Sequence, residues 1–323
     1  MSETERIERR LKLHDLRILM SVVQHGSMVK AAERLGTSQP AVSRAIADLE
    51  HSFGVRLVDR GPRGIAPTLY GRALIRRGVT VFDELRLGVK ELEFLADPTA
   101  GEVRIGAAIA AAGFVAAVID RLTQRHPRVV CHLMVEGAMI LRALEERDVD
   151  LVITAPIVAP IKDHMQAEAL YADSQFVVAA KKNPWSRRRK VRLADLMNEP
   201  WTLPPPNTSV GAAFAETFHA AGLNLPAASV VSSSGVARIA LVAKGRFLTI
   251  AGGAALRFTG RDMAIKALPI DLSLTHGTVG ILTLKNRTLT PVTQLFIDCA
   301  REVAKPLAAG KSVSSRRQRV RAV

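Results

Sequence analysis

Between Ser27 and Phe53 the residues that start and stop helices are spaced for two short helices joined by a tight turn. Ser27 is placed to cap the first, because its hydroxyl can accept one of the unpaired backbone N–H groups. Ala31 and Ala32 let a neighbouring helix come close, Leu35 closes the apolar face, and Gly36 can take the left-handed backbone that ends the helix. Ser38 can cap the second helix, and Pro40 in its first turn gives up no hydrogen bond. Val42, Ile46, Leu49 and Phe53 recur at three- and four-residue steps and so face inward. Gln39 and Ser43, four apart, and the adjacent Arg44 point elsewhere. This is the layout of a helix-turn-helix that enters the DNA major groove. There Arg can donate two bonds to guanine, Gln can pair with adenine, and Ser is promiscuous. A plain helical hairpin with a solvated polar face would show the same short pattern.

The flanks extend the motif. Leu13, Leu16, Leu19, Met20 and Val23 have helical spacing and supply a preceding helix for a three-helix core. From Val55 to Thr68, two short strands around Gly61-Pro62 and Gly64 fit a hairpin wing. Arg60 and Arg63 near its tip could meet the sugar-phosphate backbone or a minor groove, or simply occupy a solvated turn.

Residues 13 to 68 resemble the winged helix-turn-helix of LysR-type transcriptional regulators. The resemblance is carried by Ala31-Ala32, Leu35, Ser38-Gln39-Pro40, Ser43-Arg44, Leu49-Glu50, Phe53-Gly54, Leu57 and Arg60, with Thr68 and Gly71 leading into a linker helix. Val58 stands where the family usually has Phe, and Tyr70 sits in the Thr-to-Gly segment; both alter packing more than chemistry. The resemblance implies DNA contacts from Ser38, Gln39, Pro40, Ser43 and Arg44, with Arg60 and Arg63 on the wing.

A chain of 323 residues can hold two or three domains, and its net charge of +15 favours a polyanionic partner, nucleic acid or an acidic membrane surface. The excess gathers at Lys181-Lys182, at Arg187 to Arg192, and in the tail from Lys311 to Arg321, rather than in the motif. Cys131 and Cys299 are too few for a disulfide framework or a zinc site and read as small core residues, which fits a reducing compartment. Met1 to Lys12 is highly charged and carries no secretory apolar region, and the apolar run Ile105 to Ile119 is too short to span a bilayer, so a cytoplasmic protein is expected. Gly106 and Gly113 make no phosphate-binding fingerprint. The eight His show no metal spacing, and no nucleophile elbow appears. No enzyme, metal or cofactor is expected.

Between Thr68 and Leu95 the spacing predicts one long helix, with an apolar stripe of Val81, Leu85, Val89 (or Gly88), Leu92 and Leu95 that must be covered. A second copy of the helix, or the chain's own next domain, could cover it. The resemblance implies a homodimer, often assembled further to a tetramer.

Beyond Gly101, strands and helices alternate: Val103–Gly106, a helix to Leu122, Val129–Val135, Met139–Arg147 and Asp150–Thr154. That order predicts a mainly parallel sheet with helices on its faces. Phe176–Ala180 reads as the strand that opens a second lobe, Thr278–Leu284 as the return to the first, and Val292–Ala304 as the closing helix. The two lobes resemble the family's effector domain, which is similar to periplasmic solute-binding proteins. Ligands bind beyond the carboxyl ends of such strands, which selects Ala108, Ala110, Ala111, Thr154, Thr202, Asn207 and Thr208. Ala110 stands where relatives often carry Ser or Thr. Loss of that hydroxyl argues against a small carboxylate or sulfate and for a more apolar or bulkier ligand, with an aromatic or sugar-like part. Phe247 replaces the second glycine of a family turn that begins at Gly245.

The expected fold is α/β overall: a winged helix-turn-helix at 1–68, a linker and dimerisation helix at 69–97, a two-lobed effector domain at 98–309, and a basic disordered tail at 310–323. The expected function is a DNA-binding transcription regulator modulated by a small-molecule effector. A solute receptor using the lobes alone would leave residues 13 to 68 unexplained.

Overall fold

A computed structural model describes residues 11–319 apart from 63, 137–138, 155–160, 259–263, 271 and 273–275. The chain divides into two compact units, Met1–Val89 and Lys90–Val323.

In the first unit α1 (Leu13–His25), α2 (Met28–Leu35) and α3 (Gln39–Phe53) precede the hairpin β1 (Val58–Gly61) and β2 (Gly64–Pro67). The caps are those expected. Ser27 accepts the N–H of Lys30, Ser38 that of Ala41, and Gly36 ends α2 with φ 63°. Val42, Ile46 and Leu49 are buried against Leu19, Val22, Ala31 and Ala32, with Phe53 partly buried beside them. The buried face of α1 differs from the predicted one. Leu16 and Leu19 are in the core, but Ile18 and Val22 join them while Leu13, in the first helical position, is exposed. The helices surround α1 on more than one side, so adjacent residues can both be buried.

Helix α4 (Leu69–Ala96) runs for 28 residues, about 42 Å at the usual helical rise. Gly71 is required near its start, because a β-carbon there would collide with the carbonyl of Leu57. Val81, Leu85, Val89, Leu92 and Leu95 are all exposed, from 39% to 70%, so nothing in the chain itself covers the stripe.

In the second unit a seven-stranded sheet is mixed, not mainly parallel. β3 (Ala100–Ala108) pairs in parallel with β4 (Arg128–Glu136) and β5 (Leu151–Thr154). β6 (Met165–Ala180) is antiparallel to β11 (His276–Leu284), β9 (Thr249–Gly252) and β10 (Ile265–Ala267), and β11 is antiparallel to β5. The direction changes because β6 and β11 carry the chain out of the first lobe and back, so they run oppositely. The predicted strand Phe176–Ala180 is only the end of β6, which begins in the first lobe and continues into the second.

Helices α5 (Ala112–Arg125), α6 (Met139–Glu145) and α10 (Pro291–Arg319) cover the first lobe around Val103, Ile105, Phe114, Ile281 and Phe296. The second lobe holds the parallel pair β7 (Trp201–Leu203) and β8 (Ala228–Val231), with α7 (Ser209–Ala220), α8 (Gly235–Ala243) and α9 (Gly253–Phe258). Its core centres on Trp201, Phe214, Phe218 and Leu248. Cys299 is buried and Cys131 packs partly buried against the same first-lobe core. Helix α10 continues to Arg319, where an unstructured tail was expected from 310; Lys311 to Arg319 contains no Pro or Gly to stop it.

The first lobe is pinned by a buried charge cluster. The Asp150 carboxylate accepts the Arg104 backbone N–H at 2.8 Å and the Arg287 guanidinium at 2.9 Å, while Arg287 also donates to the Val149 carbonyl at 2.6 Å. One carboxylate thus fastens β3, the approach to β5 and the segment between β11 and α10. Among the described residues, no helix is long and apolar enough to cross a membrane.

Candidate nucleic-acid interface and effector cleft

Helix α3 meets solvent along one edge because its apolar residues are committed to the core. Ser38, Gln39, Pro40 and Arg44 are exposed and Ser43 is half-buried, while Val42 and Ile46 are 0% exposed. Lys30 and Arg34 on α2 are exposed as well. A cation-bearing helix edge with Gln and Ser at successive turns can offer donors and acceptors to base edges and phosphates.

The hairpin is held to the helices by backbone. The Ile65 N–H donates to the Gly26 carbonyl at 2.9 Å, and Glu50 Oε1 accepts the N–H groups of Leu57 and Val58. The Thr68 hydroxyl donates to the Arg56 carbonyl at 2.7 Å and accepts the Gly71 N–H at 3.0 Å, which joins the hairpin to the start of α4. Arg60 is exposed on β1 opposite Ile65. Arg63 lies outside the described residues. Arg56 and Arg72 are exposed near the same strands and were not singled out from the sequence.

The residues selected for the effector fall into two groups. Ala108 ends β3, and a short 3-10 turn, Ile109–Ala111, leads into α5; Ala110 is exposed and Ala111 buried. Thr154, half-buried, ends the neighbouring strand β5 beside this turn. In the second lobe Asn207 is exposed, whereas Thr208 is occupied as the cap of α7, donating to the Pro205 carbonyl at 2.7 Å and accepting the Gly211 N–H at 3.1 Å. Thr202 is fully buried within β7, with its carbonyl accepting from Thr249, so it is a core residue rather than an open wall.

The two lobes approach at one place that sequence reasoning missed. A β-carbon on Gly235, at the head of α8, would lie 3.9 Å from Ile109 Cγ2 and 3.7 Å from Arg238 Nη2. Arg238 is 8% exposed and its Nη1 donates to the Ser232 carbonyl at 2.6 Å. Burial lowers its pKa from the ordinary arginine value. The signal was a single charged residue in the otherwise apolar helix Gly235–Ala243. Where β6 passes between lobes, Asp173 accepts the Ala254 N–H at 3.1 Å, and burial raises its pKa against the opposing pull of the N–H groups of Ala254, Gly253 and Ser174 and of Arg257. Burial likewise pushes Tyr171 upward.

Residues 13–72 match the family model described as bacterial regulatory helix-turn-helix protein, lysR family, and residues 96–305 match the LysR substrate binding domain. Together these matches account for the segment that a bare solute receptor would leave over. The chain is similar to the HTH-type transcriptional regulator GbpR of Azospirillum brasilense, 29% identical over 88% of this chain and 84% of that one. It is also similar to the transcriptional dual regulator GltC of Bacillus subtilis, 27% identical over 89% and 96%. A full-length OxyR variant from Pseudomonas aeruginosa shares the fold with a TM-score of 0.64 at 19% identity, over 90% of this chain and 97% of that one. Full-length CbnR, solved with its target DNA, does so with a TM-score of 0.53 at 19% identity, over 91% and 100%. The chain belongs to the LysR family: it is a DNA-binding transcription regulator whose helix-turn-helix is followed by a two-lobed effector-binding domain.

Proposed function

We propose that α3 lies in the major groove with Gln39, Ser43 and Arg44 at base edges, while Ser38 and Pro40 shape the helix start against phosphate. Arg60 and Arg63 carry the hairpin onto the adjacent backbone. The supporting observation is the division of α3, in which Gln39 and Arg44 are exposed while Val42 and Ile46 are sealed in the core. The exposed stripe of α4 is covered by the same helix of a second copy, and the resulting two-fold pair presents two α3 helices to two half-sites. Residues 69–97 thus serve assembly, and residues 98–309 serve the effector, whose binding favours one arrangement of lobes and dimer over another. Residues 310–323 add basic charge to the end of the chain.

The protein acts in the cytoplasm as a binding protein with no reaction of its own, as its relatives' description as transcription regulators supports. Selection from random duplexes at moderate salt tests the reading. A defined two-half-site sequence, protected over both halves by the full chain, is expected. Equal binding to every duplex would sink it.

A further inference from the structure

The Arg238 guanidinium is nine-tenths buried, yet it forms no ion pair among the described residues. Its Nη1 is satisfied by the Ser232 carbonyl and its face lies 5.9 Å from the Phe214 ring centre, but its Nε has no hydrogen-bond partner. Buried cations elsewhere in the same unit are treated differently, as the Arg287–Asp150 pair shows. A buried charge without a counter-ion is unfavourable unless something outside the chain supplies the opposite sign.

The position of the guanidinium says where that would come from. Its Nη2 edge reaches back to the head of α8, beside Gly235 and within reach of the Ile109 turn of the other lobe. Ser234 caps α8 by accepting the Ala237 N–H at 3.2 Å. The N–H groups of Gly235 and Val236, at the positive end of the helix, remain for an acceptor from outside it. Gly235 leaves the space a β-carbon would fill. Around it Ile109 and Val236 are 47% and 68% exposed, and Ala110 is exposed too.

We propose that Arg238 and the head of α8 anchor the anionic group of the effector, and that the effector is a monocarboxylate with an apolar body lying against Ile109, Ala110 and Val236. One guanidinium matches one negative charge, and its planar fork suits a carboxylate. The charge is thus held by the second lobe, which fits a first-lobe loop that carries Ala110 where a hydroxyl could have stood. The inference rests on the effector-binding reading of the two lobes.

The test uses the full chain, with thermal unfolding and calorimetric titration against hexanoate and benzoate, their amides hexanamide and benzamide, and glucose. An acid is expected to raise Tm where its amide does not. Arg238→Met should weaken that binding on the order of ten- to a hundredfold. Arg238→Met should also leave the Tm of the ligand-free chain unchanged or raise it, since it removes an uncompensated charge. Gly235→Val keeps Arg238 but fills the seat, and should abolish the acid's shift; the neighbours at 3.7–3.9 Å leave room for a β-carbon. Equal shifts from acid and amide, acid binding that survives Arg238→Met, or no shift from either acid overturns the proposal. Effector binding is judged separately, since a shift from an amide or glucose alone preserves it while removing the anionic anchor.

Discussion

Glu50, on the last turns of α3, accepts the backbone N–H of Leu57 at 2.7 Å and that of Val58 at 3.2 Å. Leu57 and Val58 are themselves buried, so one carboxylate replaces water for two amides at the root of the hairpin. Glu50→Ala strands both and should cost about 1–3 kcal/mol. Amide exchange at Leu57 should accelerate with it, while Glu50→Gln, which keeps an acceptor, should lose less. Unchanged exchange at Leu57 would mean that the Thr68 and Ile65 bonds hold the hairpin unaided.

Arg44 and Arg60 are expected to differ in kind. Arg44→Ala should remove roughly 1–3 kcal/mol of discrimination between the selected duplex and a scrambled one, as loss of a base contact does. Arg60→Ala should weaken both duplexes alike and flatten the salt dependence. Titrations at two salt concentrations separate the outcomes, and equal weakening by Arg44→Ala would demote it to a phosphate contact.

Asp150 balances Arg104 and Arg287, and only 1% of the Arg287 side chain is exposed. Asp150→Ala leaves that cation buried without its partner and should destabilise the second unit by about 3–5 kcal/mol. Adding Arg287→Met should recover part of the loss. Denaturant unfolding of the two variants checks this, and a double variant no better than the single one would count against charge burial as the cause.

Asp173 has its carboxyl pKa raised, with burial outweighing the N–H groups that favour the ionised form. The sign follows from linkage. Its contribution to stability is full below the ordinary Asp value and is lost as pH rises through the raised one. Asp173→Asn carries no charge at any pH, so its Tm should gain on that of the unaltered chain from about pH 3 to about pH 6. An advantage that grows toward acid would show that the bonds from α9 dominate.

Local chemistry was legible where a residue's role is complete within a few neighbours. Ser27, Gly36 and Ser38 cap or stop helices by contacts to residues three or four away, so spacing alone revealed them. Thr208 was selected for a ligand, but its hydroxyl is consumed by the same capping chemistry. Most of β6 was missed because Gln166, Glu168, Ser174 and Gln175 break its apolar run. Sheet direction depends on where the chain re-enters a lobe, which no short window records. Arg238 escaped notice because its burial is imposed by Phe214 and by Ile109, both distant in sequence.

The sixteen residues from Met165 to Ala180 form one uninterrupted strand that pairs with β11 at its start and with β9 and β10 at its end. No scission near Ser174 can therefore release either half of the sensory module intact, because each half would inherit a torn ladder. A truncation or reporter insertion that respects the domain's tolerance for change belongs elsewhere, and the pair must be inherited, expressed and engineered as one piece.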